Sequence, residues 1–124
     1  MGERIYVASK TIHAHRWIAL RDVGMPIIST WIDEAGPGQT IDWPGLFTRC
    51  VTEASGADVL ICYSEPGEIL KGALVEVGAA LAHRVSVLWV GPAQNVCRHP
   101  LVTVLSSLDE AVFEAIRMAG RTHA

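Results

Sequence analysis

Residues 68–92 read EILKGALVEVGAALAHRVSVLWVGP, a run in which a helix of small and apolar residues carries one carboxylate, Glu76, before an apolar strand begins. Over 69–82 nearly every residue is apolar or small, which predicts a helix that His83 and Arg84 close. Residues 85–90, VSVLWV, follow as a strand buried on both faces, and Gly91-Pro92 ends it. On that helix Glu76 shares a neighbourhood with Gly72, Ala73, Ala79 and Ala80, one turn away on either side. A carboxylate on a buried face needs an ion-pair partner, a hydrogen bond or a ligand cavity. On the helix alone the simpler reading is a glutamate on its solvent edge.

The same strand–helix alternation extends in both directions. Residues 4–9, RIYVAS, suit a buried strand, with Ser9, Lys10 and Thr11 as a polar turn suited to an anion at a helix start. A helix follows over 11–23, stopped by Gly24 and Met25-Pro26, and 27–31 reads as a second strand. Residues 33–43, DEAGPGQTIDW, form a loop of about ten residues, longer than most in a small domain and of the kind that borders sites. Asp42 caps the next helix, Pro44 takes its first position, and Gly56 stops it. Residues 58–63 supply a third strand. Residues 91–100 are irregular, a short strand covers 102–105, and a last helix covers 108–118 with Ser107 and Glu110 in capping-box spacing.

This order predicts one domain over 1–124, with a three-layer, flavodoxin-like (Rossmann-like) α/β architecture. Its core is a five-stranded parallel sheet with helices on both faces and ligand sites at the carboxyl ends of the strands. The composition agrees: 124 residues make one core, and half of them are hydrophobic. Mean hydropathy is +0.30. A net charge of −3 argues against a nucleic-acid polymer or an anionic membrane surface as partner. Cys50, Cys62 and Cys97 have neither metal-knuckle nor redox-pair spacing, so reduced thiols in a cytoplasmic protein are expected. The amino-terminal residues have no signal-peptide layout, and the apolar runs are shorter than a membrane span.

Familiar motifs are missing. Neither a Walker loop nor a GxGxxG follows a strand, and no G-x-S-x-G occurs. A receiver domain would need clustered acids at strand ends, which are not evident. His13 and His15, two apart, point in different directions on a helix and read as surface residues, so neither a metal nor a cofactor is expected. The four tryptophans read as core or pocket wall. Glu76 is the remaining chemical candidate.

Three groups of residues resemble the nucleoside 2-deoxyribosyltransferase-like family, which includes nucleoside and nucleotide N-glycosidases. The first is Ile5-Tyr6-Val7-Ala8, with a tyrosine on the opening strand. The second is Ala57-Asp58-Val59-Leu60-Ile61 followed by Gly72-x-x-x-Glu76-x-Gly78-x-Ala80. The third is Gly91-Pro92 with Asn95 beyond. The resemblance implies that Glu76 is the nucleophile and that Tyr6 orients it. It implies that Ser9 and Lys10 meet a 5′-phosphate, that Gly72 admits the sugar, and that Asn95 binds sugar hydroxyls, as part of a loop that enters a neighbouring subunit's pocket in a homodimer or larger assembly. Asp58 belongs to the same pattern. The chain departs from the family at Cys50 and Leu70, both positions of aspartates, and Glu68 stands as a substitute acid near the second.

The implied chemistry is cleavage or transfer at the N-glycosidic bond of a nucleoside or nucleoside 5′-monophosphate. A carboxylate under the sugar stabilises the charge that develops at the anomeric carbon or forms a glycosyl ester. Two alternatives stand beside it: a non-catalytic module that senses a nucleotide, in keeping with Cys50 and Leu70, and a hydrolase of the nicotinamide riboside bond of NAD.

Overall fold

The computed structural model describes residues 2–35 and 42–122. Its strands are β1 (Ile5–Ala8), β2 (Val59–Tyr63), β3 (Ser86–Val90) and β4 (Val102–Leu105). Its α-helices are α1 (Ala14–Asp22), α2 (Trp43–Ser55), α3 (Gly72–Ala82) and α4 (Leu108–Thr122). The strands form a parallel sheet in the order β1-β2-β3-β4. All of β1 and all but the last residue of β2 are buried, whereas β4 is a half-exposed edge. Helices α3 and α4 both pack across β1, β2 and β3. On α4 the buried stripe is Ala111, Ala115 and Ala119, at helical spacing, so that helix lies close to its neighbours.

The sheet has four strands where five were expected. The expected strand at 27–31 is reduced to one parallel bridge between Ile27 and Ile5. Pro26 O still accepts from Ile5 N–H and Ile28 N–H donates to Ile5 O, but the ladder goes no further. Beyond it, side chains take over the backbone groups of β1. Ser29 Oγ accepts from Val7 N–H at 2.8 Å, and Trp31 Nε1–H donates to Val7 O at 2.8 Å. With Val7 satisfied in this way, the chain leaves the sheet edge and enters a 3-10 turn, Thr30–Glu34. The expected loop over 33–43 falls largely on 36–41, outside the described residues.

Local stop and start signals set the other bounds. Asp42 accepts from Gly45 N–H and begins α2 with Pro44 in the first turn. Ser107 Oγ accepts from Glu110 N–H, and Glu110 returns the bond to Ser106. Among the described residues no helix is long and apolar enough to cross a membrane.

Gly91 decides how β2 and β3 end together. It takes φ +119°, and a Cβ there would lie 2.3 Å from both the carbonyl and the hydroxyl oxygen of Ser64. Ser64 is held in place because its N–H donates to Val90 O. Gly91→Ala is therefore expected to destabilise the fold by about 3 kcal/mol, combining backbone strain with a backbone clash. Urea unfolding checks this, and an unchanged midpoint refutes it.

Candidate active site

Tyr6 is fully buried on β1, and its hydroxyl donates to Glu76 Oε1 at 2.7 Å. Glu76 lies on the buried stripe of α3 with Ala73, Val77 and Ala80 and is only 9 % exposed. The solvent-edge reading of Glu76 is thereby corrected: the sheet-facing side of α3 carries small residues, which leave room for a carboxylate against β1. Among the described residues Oε2 has no hydrogen-bond partner, whereas every fully enclosed side-chain nitrogen or oxygen has one. Oε2 is thus the oxygen that opens to the cavity that Glu76 lines.

That cavity holds about 300 Å³. Gly72 and Ala73 form its wall beside the carboxylate, with the Gly72 Cβ position 3.9 Å from Glu76 Oε2. Trp31, Trp43 and Phe47 supply an aromatic side, and Leu46, Ile69 and Leu70 an aliphatic one. Ser9, Lys10, Thr11 and Lys71 are its polar members, with both lysines exposed at the rim. The volume is that of a small organic ligand, and the mostly apolar lining with few polar groups is typical of such sites.

The electrostatics follow from burial. Burial raises the Glu76 carboxyl from 4.5 to about 7; the Tyr6 hydrogen bond opposes the rise and the charge of Glu53 adds to it. Burial likewise raises the Cys50 thiol to about 11, opposed by Tyr6 and assisted by Glu76. The Tyr6 hydroxyl is pushed far above its ordinary value by burial and by Glu76, so it remains a hydrogen-bond donor. Cys62 beneath the site is also raised, first by burial and then by Glu76.

The expected site residues divide into those brought together and those held apart. Glu76, Gly72, Ser9 and Lys10 line the cavity, and Tyr6 lies behind its wall, bonded to Glu76. The Ser9 hydroxyl already donates to Lys10 O and accepts from Trp17 Nε1–H, so its proton is committed. Asp58 is elsewhere: it precedes β2, at the amino end of the sheet, where it accepts from Arg4 N–H. Cavities of this fold open at the carboxyl ends, so a residue leading into a strand faces the wrong way. Glu68 also lies outside the cavity. Its Oε1 accepts from Glu65 N–H and its Oε2 meets His13 Nε2 at 2.8 Å. The backbone bond, then the His13 bond, holds its carboxyl below the ordinary range. Asn95 borders a separate depression with Leu74 and Gly78, which lie on another face of α3 from Glu76.

His13 corrects a further expectation, since it is 3 % exposed rather than on the surface. His13, Glu65 and Glu68 are close enough to share a cation. Their polar atoms are instead engaged with one another, with Arg16 and with Tyr63, and they pin the 64–71 turn to the start of α1. The sequence reading did not single out Trp43, Phe47, Ile69 and Lys71. The Trp43–Phe47 spacing of four, beginning a helix directly after a Gly-rich loop, was the available signal for the first two.

The chain matches the solved structure of Clostridium botulinum CMP N-glycosidase, BcmB, with a TM-score of 0.58 and 12 % sequence identity, over 93 % of this chain and 99 % of that one. The shared feature is the α/β fold with its parallel sheet. No protein-family model and no curated protein matches the chain.

The raised Glu76 carboxyl links stability to pH. Its folded value, about 7, exceeds the ordinary 4.5, so its contribution is most favourable below about pH 4.5 and is lost as pH rises through 7. Glu76→Gln is expected to be more stable than the parent by roughly 3 kcal/mol above pH 8, with the difference vanishing near pH 4. Urea unfolding across that range tests this, and a difference independent of pH contradicts it.

Proposed function

We propose that this chain acts on the N-glycosidic bond of a nucleoside or nucleoside 5′-monophosphate, with Glu76 beneath the anomeric carbon. The observation that carries the reading is the buried carboxylate with one oxygen held by Tyr6 and the other open to the cavity. As the bond to the base breaks, positive charge grows on the sugar, and an ionised Oε2 a few ångströms away stabilises it or closes to a glycosyl ester. Tyr6 fixes the direction of the carboxylate and favours its ionised form. Gly72 and Ala73 let the sugar ring approach α3. The base stacks along Trp43 and Phe47, and a 5′-phosphate meets Lys10 and Lys71 at the rim. The fold shared with a CMP N-glycosidase supports the same assignment.

Water and a second base are both chemically competent acceptors, and adding a second base to the assay separates hydrolysis from transfer. The reading includes a homodimer, in which Asn95, outside its own chain's cavity, enters that of a second copy; full activity in a monomer refutes that part. The rival reading, a nucleotide sensor without turnover, draws on Cys50, a thiol beside Tyr6 where an acid was expected.

Chromatography of free base from ribo- and deoxyribonucleosides, their 5′-monophosphates and NAD decides between them. Release is expected, reduced at least ~10³-fold in Glu76→Gln with the fold intact. In the parent the rate rises with pH through about 7 as Glu76 ionises. In Tyr6→Phe the rise moves to higher pH, because the bond that favours the ionised form is gone. No release from any compound, with equal ligand-induced thermal stabilisation of parent and Glu76→Gln, identifies the sensor.

A further inference from the structure

We propose, resting on the glycosidic reading above, that the preferred substrates are N-glycosides of a pentose 5′-phosphate whose heterocycle already carries a fixed positive charge. The argument begins with who can protonate a leaving base. Among the described residues, the ionisable side chains of this chain that border the cavity are Glu76, Cys50, Lys10 and Lys71. Glu76 must be ionised to act beneath the sugar and cannot at the same time deliver a proton above it. The Tyr6 proton is engaged with Glu76. The Cys50 thiol, pushed up to about 11 by burial, is too weak an acid for efficient proton transfer near neutrality, and both lysines lie exposed at the rim.

Three further acids are committed outside the cavity. Glu53 accepts from Thr30, Glu68 from Glu65 N–H, and Asp58 from Arg4 N–H. Residues 36–41, GPGQTI, contain no ionisable side chain. A general acid contributes about 10²–10⁴-fold to such a step, and a neutral base that leaves without one departs as an anion. A cationic heterocycle leaves neutral and needs no proton.

The aromatic side of the cavity fits the same ligand. Trp43 is 58 % and Phe47 48 % exposed, with ring centroids 6.3 Å apart and planes tilted by 36°. Planar cations stack favourably on such faces. The lysines at the rim are placed for the phosphate rather than the base.

In the reaction the C1′–N bond breaks and its electron pair goes to the ring nitrogen, which neutralises the heterocycle. Glu76 Oε2 forms an ester bond to C1′. Water then bonds to C1′ through oxygen, the ester bond breaks to restore the carboxylate, and one proton passes to solvent. No proton is delivered to the base at any point.

The test compares kcat/KM for base release from nicotinamide mononucleotide and 7-methylguanosine 5′-monophosphate with that from GMP and CMP, using the full chain. The charged compounds are expected to exceed the neutral ones by at least about 100-fold. With nicotinamide mononucleotide, kcat is expected to rise through about pH 7 and stay level to pH 9. A ratio below 100, or an alkaline fall in kcat, reveals a general acid, whether from this chain or from the 91–100 loop of a second copy, and overturns this inference while leaving the glycosidic reading in place. No release from any of the four compounds overturns this inference, and the glycosidic reading falls with it only if no nucleoside or deoxyribonucleotide releases its base either.

Discussion

The hydrogen bond from Tyr6 to Glu76 joins residues 70 positions apart and ties the first strand to the third α-helix. Much of the structure around it exists to make that contact possible. A carboxylate on a sheet-facing helix stripe loses its hydration, and one hydrogen bond offsets only part of the loss. The remainder shows as a carboxyl raised to about 7. A site chosen for stability alone would place an alanine or valine there, as α3 does at Ala73, Val77 and Ala80. A group that costs stability in this core is therefore also the group with the clearest chemical capacity, as expected where function and stability compete.

Holding that carboxylate open to a cavity needs a fixed wall, and the wall is built outside the site. The 64–71 turn brings Leu70, Lys71 and Gly72 to the cavity, and its shape rests on Glu68, which caps Glu65 N–H and reaches His13. Tyr63 and Arg16 both bond Glu65, and the His13 ring meets Tyr63 edge-on at 5.0 Å. From the other side Gly91 closes on Ser64. These polar contacts lie away from the chemistry, yet they determine where α3 begins and so where Glu76 points.

Much of this was legible in the sequence, and the failures share a cause. Strands at 58–63 and 85–90, the helices opened by Asp42 and Ser107, and the pairing of Tyr6 with Glu76 follow from local patterns and from the resemblance. The edge strand at 27–31 did not form, because Ser29 and Trp31 bond Val7 through side chains, and such competition with a ladder is invisible to periodicity. Asp58 and Glu68 were assigned by position along the chain, yet which end of the strand and which side of the turn they occupy are tertiary facts. His13 resembled a surface residue because its partners, Glu65 and Glu68, are about fifty positions away.

The placement of charge around the cavity gives it a direction. In a chain of net charge −3, two lysines stand at the rim and the buried carboxylate lies beneath. An anionic group arriving from solvent meets Lys10 and Lys71 first, and attraction at the mouth of a low-dielectric cleft is stronger than on open surface. Reversing the ligand brings its anion against Glu76, where like charges approach in a poorly solvated space. For an anionic ligand the orientation with its charge at the rim is therefore favoured before any aromatic or van der Waals contact forms, and the reverse one is resisted by Glu76. Under the proposed reading, orientation and reactivity rest on one side chain, and a substitution that removes its charge removes both.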